Sequence, residues 1–244
     1  MKTSTNDPLP FTAPDAIASG GKESGDVFIV SITGNSITRH ATNEELFARL
    51  GWNRECGMAA SCEEKDYVHL LLDMLRAALP ERDIRLSLNI IDPQSDLIIF
   101  QGGEHAALPE MIDEFRITLD KQLADYREIT PAVVVIGIWN PLCRNEFLRC
   151  TAPKYAFYAR QIELIQRDLC RKHHIQFAAV SPWENDPANT GSGAVAAVRW
   201  HPNDRGMQCY AEAAFAAVKA LPQWKIWQQT EKKNSLWVSV GQMV

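Results

Sequence analysis

Apolar residues along this chain fall into two patterns that take turns. Short continuous runs occupy residues 27–32 (Val-Phe-Ile-Val-Ser-Ile), 84–91, 97–100, 132–138 and 176–180. Runs of this length, rich in β-branched residues, suit strands buried on both faces, where the apolar-polar alternation of a half-exposed strand disappears. Between and after them lie stretches with apolar residues at helical spacing. One is 66–79, with Val68, Leu71, Leu72, Leu75 and Leu79 on one face before Pro80 ends it; the others are 111–126, 155–171 and 205–220. Strands alternating with helices predict a mainly parallel sheet of about five strands with helices on both faces, an α/β fold built as a three-layer α/β/α sandwich.

The ends read differently. Residues 1–25 are rich in Ser, Thr, Pro, Gly and charge without periodicity, and are expected to form a flexible lead-in or a strap over the surface. Residues 26–220 form the expected domain. Residues 221–244 form an extension with Trp224, Trp227 and Trp237 around Glu231-Lys232-Lys233, expected to pack on the domain or to add an edge strand at 236–240. With 244 residues, 46% of them hydrophobic, the chain can bury one large core.

Charge and cysteine usage narrow the function classes. A net charge of −5 with no Lys/Arg stripe argues against a nucleic-acid partner. No apolar run approaches the roughly 20 residues that span a bilayer, so no membrane partner is expected. The N-terminus has neither a basic nor an apolar signal region; the expected location is cytoplasmic, or outside the cell if a leader has been removed. The six cysteines, at 56, 62, 143, 150, 170 and 209, include no CxxC pair, so no metal is expected. Cys56/Cys62 and Cys143/Cys150 stay open as disulfides in an exported protein.

Two short segments carry the candidate chemistry: Gly34-Asn35-Ser36-Ile37-Thr38 directly after the first strand, and His201-Pro202-Asn203-Asp204-Arg205-Gly206 before the last helix. A serine hydroxyl is a weak nucleophile and needs an imidazole to take its proton, so Ser36 and His201 are the candidate nucleophile and base. The developing oxyanion needs fixed donors, for which the Ser36 N–H and the glycine-opened turn at Gly57-Met58 are candidates. In an open α/β sheet the functional crevice lies beyond the carboxyl ends of the strands. Asn35-Ser36, Glu104-His105, Trp139-Asn140 and Trp183-Glu184-Asn185 each follow a strand and are expected to share that rim, with Asn35, Trp139, Asn140 and Trp200 as candidate pocket residues. Taken singly, Asp204 reads as the cap of the last helix, and His40 and His69 as exposed loop and helix residues. GxSxG, GxGxxG and a P-loop are all missing, which excludes the usual sequence signatures of α/β-hydrolases, Rossmann dehydrogenases and nucleotide hydrolases.

From residue 26 to residue 220 these segments resemble the SGNH (GDSL-type) hydrolases. Gly34-Asn35-Ser36-Ile37-Thr38 is similar to that family's first block, GDSIT, with Asn for Asp. Gly103-Glu104-His105 stands where the third block is expected, and His201-Pro202-Asn203 resembles the end of the last, DxxHPN. Residues 51–67 further resemble a branch of bacterial members. The resemblance implies a flavodoxin-like sheet and a serine esterase acting through an acyl-enzyme on a small-molecule or carbohydrate ester, acetyl esters included, without a cofactor. It implies Ser36 as nucleophile, His201 as base, and Ser36 and Gly57 as backbone oxyanion donors. Two positions depart from the pattern. Val198 stands three residues before His201, where the family has Asp, so a backbone carbonyl or another carboxylate (Asp204, Glu104 or Asp186) must orient the imidazole, or the site works as a dyad. His105 replaces an oxyanion-hole asparagine, a role imidazole can fill as a donor, and activity is then expected to follow two histidines between pH 5 and 8. The rival readings are a catalytically degenerate domain that binds a glycan or protein, and an acyltransferase using the same site. The sequence specifies neither acyl chain length nor oligomeric state.

Overall fold

The computed structural model describes residues 27–142 and 152–229. Five strands, β1 (Val27–Thr33), β2 (Asp83–Leu88), β3 (Leu97–Gln101), β4 (Val133–Ile136) and β5 (Gln176–Ala178), form one sheet in the order β2-β1-β3-β4-β5 with every pair parallel. This is the flavodoxin-type order, in which the direction of winding reverses beside β1. The principal helices are α1 (Glu44–Leu50), α2 (Tyr67–Ala78), α3 (Ile112–Ile129), α4 (Ala152–His173), α5 (Ala196–Trp200) and α6 (Asp204–Lys219).

Burial explains the continuous apolar runs. Phe28, Val30, Ile32, Leu97, Ile99, Val134 and Ile136 point to the face covered by α2 and α6, whereas Ile98, Val133 and Val135 point to the face covered by α3 and α4. Every position of β4 is buried because both neighbours along the strand meet a helix layer. The elements expected between residues 26 and 220 are present, with ends shifted by a few residues. β2 stops at Leu88, short of the expected residue 91; Asn89 follows with φ of 59°, a left-handed conformation that bends the chain out of the ladder. The short helices α1 and α5 lie outside the predicted set.

Of residues 221–244, the structure describes 221–229. Trp224 is buried, and Trp227 meets Phe28 edge-on with ring centroids 4.8 Å apart. Trp237 and the expected strand at 236–240 lie outside the described residues, as do Cys143 and Cys150. Cys56, Cys62, Cys170 and Cys209 are free thiols, so the Cys56/Cys62 bridge is not formed. Burial pushes the Cys56 thiol up to about 12, which keeps it protonated and inert. No described helix is long and apolar enough to cross a membrane.

Candidate active site

Ser36 sits on a turn that its neighbours build. The Asn35 carbonyl accepts from Thr38 N–H at 2.9 Å and Arg39 N–H at 3.0 Å, while Asn35 Oδ1 accepts from Ile37 N–H at 3.0 Å. Ile37 and Thr38 are buried, and Thr38 Oγ1 joins Tyr67 Oη at 2.7 Å, so the turn is anchored below and Ser36 is left at its apex. A Cβ on Gly34 would fall 2.0 Å from Thr38 Oγ1 and 2.8 Å from the Gln101 carbonyl, which is why the chain leaves β1 through glycine.

His201 lies on a second turn, strapped on both sides. Gly191 N–H donates to the His201 carbonyl at 2.7 Å, and Thr190 forms an antiparallel bridge with Pro202. Asn203 supplies three further ties: its Oδ1 caps α6 by accepting from Gly206 N–H at 3.1 Å, and its Nδ2 donates to the carbonyls of Ala188 at 2.9 Å and Thr190 at 2.8 Å. The cap of α6 is therefore Asn203 and not Asp204. Asp204, one residue further on, spends both carboxylate oxygens on Ser61, whose N–H and Oγ lie at 2.6 and 2.7 Å.

These two turns bring Ser36 Oγ within 2.6 Å of His201 Nε2. On the other side of the ring, Nδ1 faces the Ala197 carbonyl at 2.6 Å. A carbonyl only accepts, so Nδ1 carries the proton and the Nε2 lone pair is turned to the serine, the tautomer a general base needs. The group opposite Nδ1 is thus the backbone carbonyl of Ala197 in α5, one residue before Val198, and neither Asp204, Glu104 nor Asp186 takes that place. Asp186 caps a short turn and pairs with Arg205 at 3.2 Å. The carbonyl holds the tautomer but lacks the full negative charge that would stabilise an imidazolium.

The electrostatics follow from that substitution. Burial, opposed by the Ala197 bond and reinforced by His40 and His105, pushes His201 down to about 3 from the usual 6.5. The ring therefore stays neutral, and able to accept, across the range in which the sequence led us to expect a histidine titration. Its folded value lies below its unfolded one, so unfolding takes up a proton as pH drops under about 6.5; this group's share of stability is lost from there toward pH 3. With a neutral ester, kcat/KM is expected to show no His201 limb between pH 5 and 8, the fall coming below pH 5; a limb centred near 6.5 that vanishes in His201→Gln would contradict this environment.

Around the pair, polar groups from the other strand ends lock together. Glu104, buried, accepts from Asn35 Nδ2 at 2.5 Å, Gln101 Nε2 at 2.8 Å and Trp139 N–H at 3.0 Å; burial raises its carboxyl and these bonds pull it back. Glu184 accepts from Asn140 N–H at 3.1 Å and is pushed up by burial to about 8. The four segments expected at one rim are therefore linked there, but two expected pocket residues are not in the pocket. Trp139 is fully buried, its Nε1 donating to the Trp200 carbonyl at 2.7 Å, so it supports the His201 turn from beneath. Asn140 is absent from the cleft wall. Gly57 is also displaced from its expected role: its N–H donates to Asp66 Oδ2 at 3.3 Å, because the buried cap of α2 is the stronger local acceptor, and Gly57 does not line the cleft.

The cleft itself measures about 390 Å³ and is lined by Asn35, Ser36, His105, Trp200 and His201 as expected, and by His40, Arg49, Leu50, Met58, Glu104 and Ala197. His40 is half-buried there, contrary to the exposed loop position read from sequence; burial and the nearby Arg49 charge lower its basicity. Among the described residues no His/Cys/Asp/Glu group could hold a metal ion. The Ser36 N–H has no protein acceptor among the described residues, which leaves it free to serve a bound oxygen.

No family model and no curated protein matches the chain. Solved structures do. LAE5, an α/β hydrolase enzyme from the metagenome of Lake Arreo, Spain, aligns over 80% of this chain and 96% of its own, with a TM-score of 0.55 and 19% identity. A catalytic mutant of Axe2, an acetylxylan esterase from Geobacillus stearothermophilus, covers 81% and 96% with a TM-score of 0.57 and 14% identity. The lipase Lip_vut3 from a goat rumen metagenome covers 78% and 97% with a TM-score of 0.53 and 14% identity. At these identities the likeness establishes the α/β fold and nothing finer.

Proposed function

We propose that this chain is a serine esterase of the SGNH type that hydrolyses carboxylic esters through an acyl-enzyme. The observation that carries the reading is the 2.6 Å contact between Ser36 Oγ and a His201 whose other nitrogen is fixed by a carbonyl. That three fold neighbours bear the names hydrolase, esterase and lipase supports it. In this mechanism Ser36 Oγ attacks the ester carbonyl carbon as His201 Nε2 takes its proton. The oxyanion is met by the Ser36 N–H, with His105 of the cleft lining as the second donor. His201 returns the proton to the leaving alkoxide, the acyl group stays on Ser36, and a water activated by the same nitrogen releases the acid. No cofactor enters, since the protein supplies both nucleophile and base.

The low basicity of His201 makes the proton transfer less favourable than in a site with an acid behind the ring, so turnover is expected to be modest and to favour good leaving groups. Acetyl esters of small phenols, then acetylated oligosaccharides, are the substrates to test, the latter because one neighbour is an acetylxylan esterase. Turnover of an acetyl ester that is lost in Ser36→Ala supports hydrolysis at this site. A folded wild-type protein with no turnover favours the degenerate binding domain, and acetyl transfer to an added alcohol in preference to water favours the acyltransferase.

A further inference from the structure

Arg49 is the fixed positive charge on the wall of the cleft around Ser36, where His40, His105 and His201 stand beside it. The carboxylate on its wall, Glu104, is buried, and its two oxygens are already engaged by Asn35, Gln101 and the Trp139 N–H. Arg49 is exposed in the last turn of α1, and no described acid pairs with it, Glu44 and Glu45 of the same helix included. Arg39 shows the contrast, since it is paired with Glu55 at 2.5 Å. His40 Nδ1, beside Arg49, is buried with no hydrogen-bond partner. The remaining wall is apolar: Leu50, Met58, Ala197 and Trp200.

We propose that this cleft selects esters carrying a carboxylate, and that Arg49 is the residue that reads it, with His40 alongside. The proposal rests on the esterase reading above. A guanidinium with no acid partner among the described residues, set in a half-enclosed, partly apolar cleft, binds a carboxylate through charge-assisted and frequently bidentate hydrogen bonds, and it raises the local concentration of anionic substrates. The anion has a second effect on the chemistry. During turnover His201 becomes cationic in a cleft that already holds the Arg49 charge, with a neutral carbonyl where an acid would sit; a bound carboxylate offsets that field and eases the proton transfer.

The test is a pair of matched comparisons. On the alcohol side, 4-acetoxybenzoate is compared with 4-acetoxybenzamide; on the acyl side, a phenyl hemisuccinate is compared with phenyl butyrate. Wild-type protein is expected to favour the carboxylate-bearing ester in at least one pair by about tenfold or more in kcat/KM, and the pair that shows it tells which half of the ester faces Arg49. The preference is expected to shrink as salt is raised, to collapse toward unity in Arg49→Gln, and to be partly kept in Arg49→Lys. Turnover of the neutral esters with no preference for the carboxylate in either pair, or a preference that survives Arg49→Gln, overturns the proposal and leaves the esterase reading standing. No turnover of any of the four esters by folded wild-type protein contradicts the esterase reading and this proposal with it.

Discussion

His201→Gln is expected to lower kcat/KM for a small acetyl ester by about 10³-fold or more. Glutamine can keep a hydrogen bond to Ser36 Oγ, now 2.6 Å from the imidazole, but it has no lone pair basic enough to remove the serine proton. Because nucleophile and base act as one unit, the Ser36→Ala/His201→Gln pair is expected to be no worse than the more damaging single change. A histidine serving only as a packed core residue would give the opposite pattern, a loss of stability with activity per folded molecule intact. Steady-state kinetics on protein shown to be folded by circular dichroism separates the two.

The second large effect is expected from a residue that touches no substrate. A Cβ on Gly191 would lie 2.0 Å from the Val198 carbonyl oxygen and 2.9 Å from its carbon, both backbone atoms that cannot swing aside. The segment that must give way runs from Val198 to His201 and begins one residue after the carbonyl that orients the imidazole. Gly191→Ala is therefore expected to shift His201 relative to Ser36. A displacement of about 1 Å costs on the order of 10² in rate, and overpacking of this kind costs about 1–3 kcal/mol in stability. Kinetics together with a thermal melt checks both; full activity with an unchanged melt would mean that the two turns are not in this register.

The fold was readable because its strands are buried on both faces. A run such as Val133 to Ile136 must then be apolar at every position, and that signal survives without any periodicity. Helices α2, α3, α4 and α6 were readable for the complementary reason, each carrying an apolar stripe at helical spacing. Helices α1 and α5, of seven and five residues, are too short for a stripe to register. In the site, Ser36 and His201 announce themselves through the residues that shape their turns. The partner of His201 does not, since the Ala197 carbonyl has no side-chain signature and any residue could supply it. His40 and Arg49 were missed because neither stands directly at a strand end; the loop after the Ser36 turn and the short exposed helix α1 place them on the cleft. Asn203 was passed over for Asp204 because both residue types cap helices, and only the positions of Ala188, Thr190 and Ser61 decide between them.

The central claim, that Ser36 is made nucleophilic by a histidine held on a backbone carbonyl, is tested most directly by covalent labelling. Purified wild-type, Ser36→Ala and His201→Ala proteins are treated with a fluorophosphonate probe near pH 7.5 and read by intact mass. The account predicts one adduct on the wild type, none on Ser36→Ala, and none or a far slower one on His201→Ala. A folded wild-type protein that takes no label, or an adduct that persists in Ser36→Ala, would contradict it.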